Sequence, residues 1–296
     1  MRSILLAFWA CLILSSFANA ETKVPENVIG LMAGEAEWLP QATIIAKAIT
    51  HEDGLRVLPI LGSGGLQALG DLSQLERIDA ALVSSDSLAY AQQQNLLGGK
   101  VAYVANVAHL DVVLIARRGL DNVTALAGKR IASGPAQSAG FVTGELLFGA
   151  FEIPFLRVPS EGEDAIAALM AGKADAALVF GMDLAKLALK DDRFHILSLS
   201  LPPQLDTIYQ TSTLQFGGQK IETVSTSLTL AVFDWPKNSP HYNVLKRFNT
   251  QLFNIPNHAM FTSDVLGWKR HASAQDAIRL NKSNDSLSIT PTGGQP

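Results

Sequence analysis

Short apolar runs alternate with helix-like segments along the first part of the chain. The runs end at small or polar clusters such as Gly62-Ser63-Gly64-Gly65, and the segments between them repeat apolar residues at helical spacing. The predicted strands are residues 28–32, 55–61, 78–83, 101–107 and 112–115, and the predicted helices are residues 39–49 and 66–75. Strands that are apolar throughout are typical of a parallel sheet with helices on both faces.

The same alternation restarts after Arg117-Arg118-Gly119. Here the predicted strands are residues 130–132, 155–158, 175–180 and 194–199, and the predicted helices are residues 138–150, 163–170 and 183–189. The heptapeptide IDAALVS of the first series, residues 78–84, returns as ADAALVF in the second, residues 174–180. Both copies follow a helix-like run and end at a polar or glycine turn, which indicates two successive α/β lobes.

A third segment predicts how the two lobes are connected. Residues 222–233 form a long β-like run, and a helix over residues 239–253 follows, with Ser239 as its cap and Pro240 as its first residue. A strand that returns so late implies a second connection to the first lobe. The expected fold class is therefore α/β, with two doubly wound lobes joined by a hinge of two crossings. The predicted boundaries are residues 21–116 and 224–280 for lobe 1, residues 117–223 for lobe 2, and residues 281–296 for a disordered tail.

The amino terminus resembles a secretory signal. Arg2 precedes an apolar run over residues 4–14, and Ala18-Asn19-Ala20 forms a small-residue cleavage site, so we expect residues 1–20 to be removed. The run is shorter than the roughly twenty residues of a membrane-spanning helix. Cys11, the single cysteine, would leave with the signal. We therefore expect a periplasmic protein without a disulfide.

Composition and motifs exclude several classes of function. Without Arg2 the chain has 22 basic and 27 acidic residues and no basic block, which argues against nucleic acid as a partner. The six histidines lack the spacing of zinc ligands, and Gln67 stands where a dinucleotide fingerprint would have its last glycine. The chain contains no Walker motif and no nucleophile elbow. We therefore expect no metal, no cofactor and no enzymatic activity.

Two turns are candidates for binding an anionic group. One contains Ser63 and Gly64 and the other runs from Ser133 to Gln137 and Ser138, and each opens a predicted helix after a predicted strand. The free N–H groups at a helix start suit a carboxylate, and ligands of open α/β sheets bind at the carboxyl ends of the strands. The alternative is that these serines only cap their helices and the glycines only turn the chain.

Further candidates lie at the same predicted edge of each sheet. Glu35 follows the first strand and could receive an amine or hydroxyls, and Trp38 could form a flat wall for a ligand; both could equally belong to a surface loop. Ser84, Ser85 and Asp86 are short polar groups suited to orienting a ligand, although helix capping would also explain them. Tyr209 and residues 223–226 lie near the second crossing and could be hinge or cleft residues.

Three stretches of the chain resemble a known family. They are LPILGSGGLQALGDLSQLERIDAALVSSDSLAYA, VTALAGKRIAS at residues 123–133, and DAIAALMAGKADAALVFGMDLA. Together with the signal they are similar to the TAXI-type solute receptors of TRAP transporters, which are periplasmic binding proteins of the second structural type. The resemblance covers about residues 28–255, and its most specific part is the second stretch.

The resemblance implies a two-lobed receptor that closes on a small organic or amino acid and delivers it to a membrane permease. It assigns ligand-lining roles to the Ser63-Gly64 turn, to Ser84-Ser85-Asp86 and to the helix start at Gln137-Ser138-Ala139. We expect such a receptor to be a monomer. The sequence departs from the family at Gly34-Glu35-Ala36-Glu37-Trp38, because two carboxylates there would repel an acidic ligand.

Other functions on the same fold stay open at this point. The departure in the first turn would also fit a periplasmic carrier of an apolar ligand such as a lipid or sterol. An accessory protein that binds a periplasmic enzyme or sensor is a second alternative. A dehydratase on this scaffold is a third, with His109 or Glu145 as its proton donor.

Overall fold

The computed structural model describes residues 27–49, 54–75, 77–97, 100–181, 191–256 and 259–288. The strands are β1 (Val28–Ala33), β2 (Arg56–Leu61), β3 (Ala80–Ser84), β4 (Val101–Arg117), β5 (Arg130–Ala132), β6 (Leu156–Val158), β7 (Ala176–Phe180), β8 (Phe194–Leu197), β9 (Gln210–Phe216) and β10 (Gln219–Phe233). The helices are α1 (Leu39–Ile49), α2 (Gly65–Gln74), α3 (Ser85–Gln93), α4 (Ala139–Ala150), α5 (Gly162–Met170), α6 (Pro240–Phe253) and α7 (Ala272–Ser288).

The first lobe is built on a sheet with the strand order β2-β1-β3-β10-β4. Strands β1, β2 and β3 are parallel, and β10 runs antiparallel to both of its neighbours. Strands β1 and β3 are buried because helices cover them, as their continuous apolar sequences predict, whereas the edge strand β2 is mostly exposed. The core of this lobe includes Ile29, Leu31, Trp38, Ile45, Leu82, Leu230 and Phe248.

The second lobe uses the last part of β4 as a strand of its own sheet. The order there is β4-β7-β5-β6, with β7 antiparallel to β4 and with β5 parallel to both β6 and β7. Strand β8 also pairs with β4. The core side chains of this lobe include Leu114, Leu126, Ile131, Leu147, Phe148 and Leu178.

Two long strands connect the lobes. Strand β4 pairs with β10 up to Asp111 and with β7 from Val112 onward, so it passes from one sheet to the other without a break. Strand β10 pairs with β9 over its first half and with β3 and β4 over its second half. The predicted fold class, two α/β lobes joined by two crossings, is therefore confirmed.

Some sequence predictions about individual elements were wrong. Two strands were predicted over residues 101–107 and 112–115, but β4 is one strand, because its pairing with β10 continues through His109 and Asp111. Strand β9 was not predicted; it forms a hairpin with β10 across Gly217 and Gly218, whose φ angles are 58° and 78°.

The ends of the chain differ from expectation in one respect. Helix α7 extends to Ser288, so residues 281–288, which the sequence analysis assigned to a disordered tail, are helical. Asn281 fixes this helix to the preceding one by donating from Nδ2 to the Phe253 carbonyl at 2.7 Å. The predicted signal and the predicted helix over residues 183–189 lie outside the described residues, as do residues 289–296. Within the described ranges, no helix combines the length and the apolar character that a membrane span requires.

Candidate functional site

The first turns of two helices, one from each lobe, meet at a single carboxylate oxygen. Helix α2 of lobe 1 begins at Gly65, helix α4 of lobe 2 begins at Ala139, and each follows the carboxyl end of a parallel strand. The backbone N–H groups of Gly65 and Ala139 donate to Glu35 Oε1 at 3.0 and 2.7 Å. N–H groups at helix starts have no partner within their own helix, which is why they can hold a negative or polar oxygen from elsewhere.

The two turns also touch through their backbones. The N–H of Leu66 donates to the Gln137 carbonyl at 3.0 Å. Gly64 has φ of 149°, and a Cβ placed on it would lie 2.6 Å from the Gln137 oxygen. A residue with a side chain at position 64 would therefore collide with lobe 2, so this contact requires glycine. The lobes are in direct contact at the position where the sequence places the candidate turns.

The electrostatics of Glu35 depend on burial and on a second carboxyl group from lobe 2. Only 5% of Glu35 is exposed, and the pKa of its carboxyl is raised to about 8, with loss of hydration as the largest cause. The negative charge of Glu161 contributes to this rise, whereas the two N–H bonds act in the opposite direction. Burial also raises the pKa of Glu161, while hydrogen bonds with the side chains of Ser138 and Glu35 lower it. Glu35 Oε1 thus accepts from both helices, and the Glu35 carboxyl group is also paired with that of Glu161.

Glu161 was missed at the sequence level. It is the residue before α5, at the carboxyl side of β6, so it occupies the same kind of strand-to-helix turn as Gly64 and Ser138. Its position in this third strand-to-helix turn was the sequence feature that could have identified it as a candidate. The run Glu161-Gly162-Glu163-Asp164 resembles an ordinary exposed acidic helix start, which hid that signal.

Asp86 forms a second polar bridge between the lobes. Its side chain is fully buried, and its Oδ2 accepts from Thr143 Oγ1 at 2.6 Å and from the Tyr209 hydroxyl at 2.7 Å. Thr143 lies on α4 of lobe 2, and Tyr209 directly precedes β9. Burial raises the pKa of Asp86, and these hydrogen bonds oppose the rise. Burial, followed by the charge of Asp86, raises the pKa of Tyr209 well above its usual value.

The predicted serines form hydrogen bonds within the protein. Ser84 Oγ lies 2.8 Å from Ser87 Oγ, and Ser85 Oγ lies 2.7 Å from Thr226 Oγ1 on β10. Ser85 also accepts from the Ser227 N–H at 3.2 Å, so it fixes the start of α3 to the connecting strand. In this arrangement, both predicted serines are buried.

The serines of the two candidate turns differ in their surroundings. Ser138 is the N-cap of α4, since its Oγ accepts from the Phe141 N–H at 3.1 Å. Ser133 is buried, and its Oγ accepts from Arg157 Nη1 at 2.5 Å. Ser63 is exposed and its N–H donates to Gln67 Oε1 at 3.1 Å. The capping alternative therefore describes Ser138, while Ser63 lies at the outer edge of the contact.

Trp38 does not form the exposed wall that the sequence suggested. The side chain is fully buried in the core of lobe 1, and its ring centroid lies 6.3 Å from that of Phe180, at the end of β7 in lobe 2. Burial of its large apolar surface explains this position. Its Nε1 has no hydrogen-bond partner among the residues that the structure describes.

His109 and Glu145, the two residues considered as proton donors, lie on β4 and α4. His109 is exposed on β4, and Asp111 accepts from Ser212 Oγ at 2.6 Å. Glu145 forms an ion pair with Arg157 at 2.5 Å on the outer side of α4.

Comparison with solved structures identifies the fold class of the chain. No protein-family model matches the chain, and no curated protein matches it in sequence. The solved structure of PhnD1 from Prochlorococcus marinus MIT 9301, in complex with methylphosphonate, is similar with a TM-score of 0.56 at 12% identity, over 88% of this chain and 99% of that one. The periplasmic binding protein BugD is similar with a TM-score of 0.52 at 13% identity, over 90% of this chain and 96% of that one. The fold is that of the type II periplasmic binding proteins.

Proposed function

We propose that this protein is an extracytoplasmic receptor that captures a small organic solute between its two lobes. The observation that carries the proposal is the convergence of the Gly65 and Ala139 N–H groups, from different lobes, on one oxygen atom. An anionic group of a solute in that position would contact both lobes at once. The methylphosphonate bound to PhnD1, which shares the fold, is a small anion of this kind.

Closure of the lobes would couple binding to recognition by a partner. A solute that contacts both lobes favours the closed state, because its affinity for the closed state exceeds its affinity for the open one. The hinge would lie where β4 and β10 change sheets, near residues 111–112 and 224–225. We propose that the closed form delivers the solute to a membrane permease, as in the TAXI-type receptors, and that the protein acts as a periplasmic monomer without enzymatic activity.

The ligand-lining residues we propose are those at the contact between the lobes. Gly64, Gln137 and Ala139 supply backbone groups, and Glu35 and Glu161 supply carboxyl groups. Asp86 and Tyr209 form the inner wall nearer the hinge. A carboxylate or an amino acid is the solute class that fits a pair of helix starts combined with carboxyl acceptors.

The substitution Ala139→Pro tests this site by removing the N–H group that binds Glu35 Oε1 from lobe 2. Proline is well tolerated at the first position of a helix, and it removes the one N–H that lobe 2 contributes. The chain itself begins α6 in this way, with Pro240 after the Ser239 cap. Thermal shift measurements with a panel of small carboxylates, amino acids and phosphonates should identify a stabilising solute for the wild type and a lost or much weaker shift for Ala139→Pro.

Two outcomes of this experiment would contradict the proposal. One is the absence of any stabilising solute, combined with native mass spectrometry that detects no bound small molecule in freshly purified protein. The other is an equal shift for the wild type and for Ala139→Pro, which would place the binding site elsewhere.

A further inference from the structure

The position that a solute's anionic group would take is already filled by the protein's own side chain. Glu35 Oε1 accepts from Gly65 of lobe 1 and from Ala139 of lobe 2, and the side chain is almost completely buried. In an empty two-lobed receptor, nothing but the hinge would hold these two helix starts together. Here the carboxyl group of Glu35, a side chain of the protein itself, binds the N–H groups of both helix starts.

Other contacts around Glu35 show that the lobes are packed against each other. The Leu66 N–H bonds to the Gln137 carbonyl, and a Cβ on Gly64 would lie 2.6 Å from the Gln137 oxygen. The Trp38 ring, three residues after Glu35, contacts Phe180 of lobe 2. Glu161 of lobe 2 pairs with the Glu35 carboxyl group. Backbone and side-chain contacts of both lobes therefore surround Glu35.

We propose that Glu35 is an internal ligand that holds the lobes closed without a solute and competes with anionic solutes for the Gly65 and Ala139 N–H groups. This inference rests on the proposed function, since it assigns Glu35 the role of setting how tightly that receptor binds acids. A carboxylate solute must displace Glu35 before it can reach both helices. The wild type then binds acids more weakly than the site geometry alone would allow.

The variant Glu35→Ala makes this inference testable by chemical rescue. The substitution removes a CH2–COO fragment, and acetate is the free molecule of the same size and chemistry. Without its bridge, the variant should have a larger radius of gyration by small-angle X-ray scattering and a melting temperature lower by roughly 5–10 °C. Sodium acetate should restore both quantities by at least half, at constant ionic strength.

Matched controls separate the carboxyl group from general effects of salt and volume. Sodium chloride should not rescue Glu35→Ala, and acetate should not change the wild type. Glu35→Gln keeps an oxygen that accepts both N–H bonds, so it should stay compact. Acetate should change neither its radius of gyration nor its melting temperature. Glu222→Ala removes an exposed glutamate of β10 and should behave as the wild type.

The outcomes of this experiment test the inference independently of the proposed function. An unchanged radius of gyration in Glu35→Ala, or equal effects of acetate and chloride, would refute the internal ligand even if the wild type binds a solute. Rescue by acetate would support it even if no solute is found. Should Glu35→Ala fail to fold in buffer, folding in acetate but not in chloride would support the inference, and failure in both would refute it.

Discussion

The protonation of Glu35 should make the stability of the protein depend on pH in a direction opposite to that of an ordinary ion pair. Burial and the charges of Glu161 and Glu37 raise the pKa of Glu35 from 4.5 to about 8 in the folded chain. In the unfolded chain, water restores the ordinary value. The perturbation we consider is Glu35→Gln, which keeps the accepting oxygen and removes the titration.

The sign follows from where the proton is bound. Below pH 4.5 the carboxyl group is neutral in both states, and its full contribution to folding is present. Between pH 4.5 and about 8 the unfolded chain loses the proton that the folded chain keeps, so the free energy of unfolding falls. At about 1.36 kcal/mol per pH unit, the total loss is at most about 5 kcal/mol, and it ends above pH 8.

Urea unfolding followed by circular dichroism measures this effect. Asp79 and Asp86 also have raised pKa values, but they titrate in both proteins and cancel in the comparison, whereas Glu161, which is paired with Glu35, contributes to the difference. We expect Glu35→Gln to match the wild type near about pH 5 and to be more stable by several kcal/mol near about pH 9. The reasoning would be refuted if the difference in the free energy of unfolding between the two proteins changed by less than about 1 kcal/mol over this pH range. That result would mean that Glu35 is ionised in the folded state.

Two further predictions concern the contact between the lobes and the stability of lobe 2. Gly64→Ala should increase the radius of gyration, because its Cβ would meet the Gln137 oxygen. The control Gly70→Ala has no heavy atom within 4 Å of its Cβ and should stabilise α2 by about 0.5–1 kcal/mol. A Gly64→Ala protein as compact as the wild type would contradict the contact between the lobes. Asp175→Asn should reduce the free energy of unfolding by about 2 kcal/mol at neutral pH, because hydrogen bonds from Arg130 lower the pKa of Asp175 from 3.8 to about 2. The difference from the wild type should shrink as the pH falls from 3.8 through about 2, and a pH-independent difference in urea unfolding would contradict this explanation.

Much of the fold could be predicted because buried strands and amphipathic helices leave strong signals. Helix α1 was predicted with the observed bounds, Leu39–Ile49, and the short apolar strands were predicted to within one or two residues. Strand β9 gave no such signal, because most of its residues are exposed and its conformation depends on pairing with β10. The single strand β4 was divided in the prediction because polar residues interrupt its apolar pattern between the two sheets.

The candidate site was predictable only in its parts. The sequence selected Glu35, Gly64, Gln137 and Ala139 as separate residues near strand ends, and the structure brings them into contact. Their role in binding a solute stays a prediction. The bond between Glu35 and Ala139 joins positions far apart in the chain and exists only when the lobes are closed, and no local pattern reports the angle between two lobes.

The position of β10 has a consequence for how the chain acquires its structure. This strand is inserted between β3 and β4, although it is synthesised long after both of them. Until residues 219–233 emerge, β3 and β4 each present an open edge, and open edges invite pairing with other chains. A nascent or truncated polypeptide that lacks this segment therefore depends on chaperones or on delayed folding, and the assembly of the first sheet is among the last events of biogenesis.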